Sequence, residues 1–235
     1  VARTSLRWDS PSSLVRPQPV AALPAFVQVA VADTGNTEPA SLDVVLGAGA
    51  TAGNLIVIAA NSDATLTPPA GFATAASAVS AQACYCFWKI AAGGETTLTV
   101  TPSVGRPMAL VAAEYSGIAV SPVDQTASSS ATGSSTAGPV SAGTTGTTLQ
   151  AVELAIAVTG PHSYSSPSPP GSPTWTNSYT GRGAAASALV ATAGRNSAVF
   201  LADLVLMSTG TTTTSTSWTN SSQDWGAVIA TFKGA

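Results

Sequence analysis

Two stretches of the chain decide how it folds. Met108-Ala109-Leu110-Val111-Ala112-Ala113-Glu114-Tyr115-Ser116-Gly117 is matched by Trp225-Gly226-Ala227-Val228-Ile229-Ala230-Thr231-Phe232-Lys233-Gly234 near the C-terminus. Side chains of an extended strand point alternately to opposite faces. Val111, Ala113 and Tyr115 therefore share one face, and Val228, Ala230 and Phe232 share the equivalent face. A second pair supports the duplication, Asn54-Leu55-Ile56-Val57-Ile58-Ala59 against Glu153-Leu154-Ala155-Ile156-Ala157-Val158. Each is followed by a Pro-Pro turn, at Pro68-Pro69-Ala70-Gly71 and at Pro169-Pro170-Gly171-Ser172.

Around these stretches lie further short strand patterns. Thr97-Leu98-Thr99-Val100-Thr101 alternates apolar and hydroxyl side chains, as a half-buried strand does. Strands are also predicted over 26–32, 42–46, 54–60, 83–91, 108–115, 152–159, 184–191, 198–207, 212–218 and 225–232. Gly, Pro, Ser and Asn clusters separate them, and no helical periodicity lasts three turns. The expected fold is all-β, a jelly-roll-like β-sandwich of two quasi-repeated halves. Five or six strands per half would leave a face uncovered, so one sandwich over 24–235 is expected. Its halves, 24–127 and 149–235, would be joined by the Ser/Thr/Gly-rich stretch 128–148.

Residues 1–23 read as an extended attachment arm. Pro11, Pro17 and Pro19, with Pro24 just beyond, interrupt any ladder, while Leu6, Trp8, Leu14 and Val15 offer apolar surface for burial elsewhere. Arg3, Arg7 and Arg16 against Asp9 give the arm a net charge of +2, and the rest of the chain carries −5. Arg3, Arg7, Trp8 and Arg16 are the expected attachment residues, held by a neighbouring subunit.

Composition narrows the function. Of 235 residues only 8% are charged and 45% are hydrophobic, against about 25% charged in an ordinary soluble domain. Such a surface is expected to be covered in part by other subunits. Apolar runs such as 55–60 and 108–113 are far shorter than the ~20 residues of a membrane-spanning helix, so no membrane insertion is expected. Trp8-Asp9-Ser10-Pro11 stands where the apolar part of a secretory signal would lie. Nucleic-acid binding needs clustered cations, whereas Lys89 and Lys233 are the two lysines of an acidic body. Cys84 and Cys86 fall on one face of a strand roughly 7 Å apart, too far for a mutual disulfide, and read as buried small hydrophobes.

Catalytic chemistry has few candidates, and neither a catalytic residue nor a cofactor or metal ligand set is assigned. His162 lies in Gly160-Pro161-His162-Ser163 and reads as an exposed loop histidine, without metal-ligand spacing around it. No G-x-S-x-G nucleophile turn and no Gly-Lys-Ser/Thr phosphate loop occurs. A glycoside hydrolase would need two carboxylates, with Asp63, Glu95, Glu114, Glu153, Asp203 and Asp224 as candidates. Glu114, opposite Tyr115, is explained by a solvated or hydrogen-bonded outer position. Trp175 and Tyr179 flank Thr176-Asn177-Ser178 and form a candidate stacking platform for a glycan; the competing reading has Trp175 covering an end of the sandwich.

The order of several short pieces carries a resemblance. Gly53-Asn54-Leu55-Ile56-Val57, Pro68-Pro69-Ala70-Gly71-Phe72, the aromatic strand Cys84 to Ile90 with Gly94-Glu95-Thr96-Thr97, then Glu114-Tyr115-Ser116-Gly117 and Pro122-Val123-Asp124, resemble β-sandwich modules of tailed-bacteriophage virion proteins, the minor tail protein type among them. The second half departs from that pattern at Ser172-Pro173-Thr174-Trp175. The resemblance implies a non-enzymatic virion structural protein, exposed on the particle, whose partners are other virion proteins and copies of itself. Capsid decoration is the alternative placement. A carbohydrate-binding or adhesion module that meets a host surface glycan is the competing class.

Overall fold

A computed structural model describes residues 22–80, 82–133, 136–164, 170–187, 195–222 and 224–235. They form sixteen strands and no helix. The first eight are β1 (Ala25–Asp33), β2 (Leu42–Val45), β3 (Leu55–Ser62), β4 (Leu66–Thr67), β5 (Ala73–Val79), β6 (Ala83–Ile90), β7 (Thr97–Pro102) and β8 (Met108–Ser116). The second eight are β9 (Ile118–Ala131), β10 (Val140–Ser141), β11 (Val152–His162), β12 (Gly171–Trp175), β13 (Thr180–Ala186), β14 (Ala198–Met207), β15 (Ser215–Thr219) and β16 (Asp224–Gly234).

The two sets repeat one topology. In the first, a five-stranded sheet β1-β8-β3-β6-β5 faces a three-stranded sheet β2-β7-β4. In the second, β9-β16-β11-β14-β13 faces β10-β15-β12, the same order shifted by eight strands. The duplicated sequences sit in matching ladders, with Leu55 opposite Tyr115 in the first half and Leu154 opposite Phe232 in the second. Each half thus has eight strands rather than five or six. Within a half, the three-stranded sheet covers one face of the five-stranded sheet, and the other half covers the second face.

Three buried layers follow. Ile56, Ile58, Phe87, Val100 and Leu110 fill the first half between its two sheets. Ala155, Ile229, Phe200 and Trp218 belong to the corresponding layers of the second half. Between the five-stranded sheets lies the shared core, including Val57, Val111, Tyr115, Ile156, Val228 and Phe232. Strands buried on both faces need no polar side, so β3 reads as an apolar run over 55–60, and every residue in it, Asn61 and Ser62 included, is buried. Cys84 and Cys86 belong to the shared core as free thiols, and burial raises both, Cys86 to about 12.

The sheets approach closely because the second half presents glycine at contact points. A Cβ on Gly226 would lie 2.8 Å from Cys84 Cβ, and one on Gly183 2.7 Å from Val111. Cross-half contacts include Trp88 edge-on to Phe232, with centroids 6.4 Å apart, and the Arg182 guanidinium 4.4 Å from the centre of the Phe26 ring.

The junction differs from the expected one. Residues 128–131 belong to β9, where Ser128, Ser129 and Ser130 pair with Val228, Ala227 and Gly226. The second half therefore begins at Ile118, directly after Gly117, and not at residue 149. β9 is an edge strand with backbone partners on one side, so its Ser/Thr content reflects an outer position rather than a linker.

Three substitutions test the register. Phe232→Ala and Tyr115→Ala should each cost about 3–5 kcal/mol in thermal or denaturant melts, the range for emptying a buried aromatic site. The Tyr115 ring and hydroxyl are enclosed rather than at a solvent edge, so no discount applies. Thr231 is buried on the opposite face and accepts the Gln125 N–H at 3.0 Å, so Thr231→Ala should cost about 1 kcal/mol rather than nothing. A negligible Phe232 effect beside a large Thr231 effect would invert the assigned faces.

Candidate functional site

The attachment residues Arg3, Arg7, Trp8 and Arg16 lie outside the described residues. The sugar platform does not form as expected. Asn177 and Ser178 adopt positive φ angles of 56° and 63° and turn the chain back after β12. Tyr179 is thereby tucked into the core of the second half, 6% exposed, with its hydroxyl 2.9 Å from Thr212 Oγ1. Burial, against the Thr212 hydrogen bond, pushes its phenol up to about 12. Trp175 packs against the same core, and its Nε1 is buried without a hydrogen-bond partner among the described residues. Stacking a sugar needs an exposed ring face, which Tyr179 does not offer.

Buried polar groups instead gather in two equivalent places, one per half. In the first, Glu114 projects from β8 and is fully buried. Its Oε1 accepts from Thr51 N at 2.9 Å and Asn54 Nδ2 at 2.6 Å, and its Oε2 from Gln28 Nε2 at 2.5 Å. Gln28 also clasps Ala48, donating to its carbonyl at 3.0 Å and accepting its N–H at 3.1 Å. Burial disfavours the Glu114 charge, but the donors from Gln28, Thr51 and Asn54 outweigh it and hold the carboxyl below its ordinary range. Glu114 is hydrogen-bonded, as expected, but inside the molecule.

In the second half the carboxylate has moved one strand over. Thr231 occupies the Glu114 position, and Glu153 occupies that of Asn54. Among the described residues neither Glu153 oxygen has a hydrogen-bond partner. Burial pushes its carboxyl up to about 7; the Asp124 carboxylate adds to the rise and the neighbouring Thr231 hydroxyl opposes it. Asp124 Oδ2 itself accepts the Leu149 N–H at 2.7 Å.

A third cluster fastens the halves together at one end. Asn61 of β3 donates to the carbonyls of Pro161 and Ala198 in the second half, at 3.1 and 3.0 Å. Arg106 Nε lies 3.2 Å from Asp63 Oδ2, and Glu38 lies between Arg106 (3.8 Å) and Arg195 of the second half (3.3 Å). His162 belongs here and is 2% exposed, which corrects its reading as an exposed loop residue. Pairing on the β14 side is interrupted at Pro161, between Thr159 opposite Phe200 and His162 opposite Ser197, and Asn61 Nδ2 donates to the Ala198 carbonyl at the place where the proline has no N–H. Burial lowers the His162 pKa, against the pull of Asp63 and Asp224.

This histidine is not arranged as a nucleophile relay. Ser163 Oγ (2.9 Å) and Asp224 Oδ2 (3.7 Å) both approach Nδ1, whereas a serine–histidine–aspartate relay places nucleophile and acid on opposite nitrogens. Nε2 is buried without a hydrogen-bond partner among the described residues. The remaining carboxylate candidates are also engaged. Asp203 holds Arg182 through two hydrogen bonds of 2.6 and 3.0 Å. Glu95 bonds Lys89 at 2.8 Å and the N–H groups of Ala92 and Gly93; despite burial, these donors hold it down to about 2.

Comparison with protein-family models, with curated proteins and with solved structures finds no match for the chain.

The two glutamates should respond oppositely to amide replacement. The contribution of Glu114 is complete above its ordinary value of about 4.5 and is lost as pH falls through its lower folded value. Glu114→Gln should cost about 1–3 kcal/mol at pH 7, with a smaller deficit in acid. Glu153 favours the fold most when protonated, below 4.5, and this contribution is lost as pH rises through about 7. Glu153→Gln should match the parent protein at pH 4 and exceed it by about 1–3 kcal/mol at pH 8 in paired melts. Equal effects of Glu153→Gln at both pH values would contradict the raised pKa.

Proposed function

We propose that the chain is a non-enzymatic structural protein of a tailed-bacteriophage virion, a tail-associated component that works by packing against neighbouring subunits. The observation that carries this reading is the apolar surface on and beside β1. Leu23, Val27 and Val31 are 50%, 45% and 53% exposed on or beside β1, an edge strand whose only backbone partner among the described strands is β8. Apolar side chains beside an open strand edge suit burial against another subunit. In sequence, the segment with Arg3, Arg7, Trp8 and Arg16 precedes β1.

Two features add support. Apart from the neighbouring pairs β5–β6 and β13–β14, consecutive strands within a half pass between its two sheets, an order that suits the jelly-roll winding common in capsid and related virion domains. The landmarks that resemble virion modules also fall at structural turns, with Gly53, Gly71 and Gly117 at φ of 86°, 81° and 72°. Only glycine adopts such angles freely. A Cβ on Gly117 would also collide with the Leu23 carbonyl.

Deleting residues 1–23 should leave a cooperatively melting sandwich that no longer enters particles. Normal incorporation of the truncated protein would refute the attachment role. Gold-labelled antibody against the chain should mark the tail in electron micrographs, and label confined to the head would reassign it as a capsid decoration protein.

A further inference from the structure

The two halves differ at one place in a way that points to a ligand. In the three-stranded sheet of the first half, Leu46 N–H donates to Thr96 O at 2.8 Å, which continues the β2–β7 ladder. Backbone groups of successive strand residues turn to opposite sides. Thr96, Leu98 and Val100 therefore face β2, and Thr97 and Thr99 direct their N–H and C=O groups toward the side of β4. β4, however, is only Leu66–Thr67, and its ladder ends with Thr67 opposite Thr101. Pro68 and Pro69 come next and have no N–H to donate.

The second half shows what belongs there. β12 is longer, and beyond Thr174 opposite Ser217 it continues with Trp175 opposite Thr216. Thr176 N–H then donates to Ser215 O at 3.1 Å, and Thr176 Oγ1 accepts Ser215 N–H at 2.8 Å. Asn177 Nδ2 donates to Thr213 O at 2.8 Å. Counted from the paired residues Thr101 and Ser217, Ser215 and Thr213 stand where Thr99 and Thr97 stand. The bond from Thr145 N to Thr212 O, equivalent to that from Leu46 to Thr96, gives the same alignment. An extended segment thus satisfies this strand edge in the second half, and its counterpart in the first half faces open space.

That space is a groove of about 360 Å³ beside Thr97 and Thr99, walled by Pro69, Phe72, Lys89 and Glu95. It is more than ten times the ~30 Å³ share of one water molecule. Lys89 and Glu95 are paired to each other at 2.8 Å, so the wall carries little net charge and selects neither an anion nor a cation. Phe72, the residue before β5, corresponds to Tyr179 before β13. Tyr179 is enclosed by its own chain, whereas Phe72 is half-buried at the groove.

We propose that this groove binds a short extended peptide, which adds a strand to the open edge of β7 in the position that residues 174–177 hold in the second half. Hydrogen bonds to the N–H and C=O of Thr99 and to the C=O of Thr97, from the peptide main chain and from its hydroxyl and amide side chains, supply the affinity, a variant of strand addition. The peptide needs a residue other than proline opposite Thr99, and a neutral segment bearing hydroxyl or amide side chains fits the wall. The inference does not rest on the virion reading, because it would hold for any β-sandwich with this edge.

The test uses the full chain and a synthetic peptide with the sequence of residues 171–179, followed by amide hydrogen exchange in NMR spectra. Saturating peptide should slow exchange at Thr99 about tenfold or more, the protection expected of a newly bonded amide. The same peptide N-methylated at the position of Thr176 should give no protection. Absence of protection at millimolar peptide, or equal protection by the methylated form, overturns the proposal. Displacement of the Phe72 and Lys89 resonances by a chitin oligosaccharide, with none from the peptide, overturns it in favour of a glycan site. Particle incorporation of the arm-deleted chain is a separate readout, so failure here leaves the arm result unaffected.

Discussion

Burial of the second face of each five-stranded sheet is the constraint from which the other features follow. A three-stranded sheet covers one face of β8 or β16, and the opposite half covers the other. Neither face favours charge, so the central strands are mostly apolar, with few buried polar residues such as Asn61, Glu114, Glu153 and Thr231. This accounts in part for the charge-poor composition without any further subunit. Close approach of the sheets also demands small groups, which is why Gly183 and Gly226 meet Val111 and Cys84 where side chains would wedge the halves apart. Polar groups in these layers survive where partners are fixed, as with Asn61 and its two carbonyl acceptors across the junction.

The duplicated polar site shows how such a core diverges. One buried carboxylate is retained per half, but Glu114 has donors on three sides, whereas Glu153 has no hydrogen-bond partner among the described residues and lies near Asp124. One is therefore stabilised as the anion and the other as the acid. Equivalent positions in one topology acquire opposite pH dependence because their neighbours, not their residue type, set the balance between desolvation and hydrogen bonding.

The outer sheets diverged differently. β12 continues along β15, while Pro68 and Pro69 stop β4 after two residues and leave part of β7 open. A core layer cannot lose a strand without exposing apolar surface. An edge strand can be shortened at the cost of a few backbone hydrogen bonds, which solvent or a ligand can replace. Variation in binding capacity is thus concentrated at the sheet edges, around a conserved arrangement of central strands within the two halves.

By itself, the sequence determined the fold class, the faces of the duplicated strands and the equivalence of the two halves. Apolar periodicity is imposed by burial, and it is strongest in central strands such as 55–60, 108–115 and 225–232. Tertiary structure alone decided the strands without that signal. β4, β5, β9, β10 and β12 all lie at sheet edges, where one side of the backbone is unpaired and side chains such as Ser128–Ser130 need not be apolar. It also decided that His162 and Tyr179 are inside. Gly160-Pro161-His162-Ser163 and Thr176-Asn177-Ser178 carry turn chemistry locally. Whether a turn-like segment faces water depends on which distant sheet lies over it, and no local pattern records that.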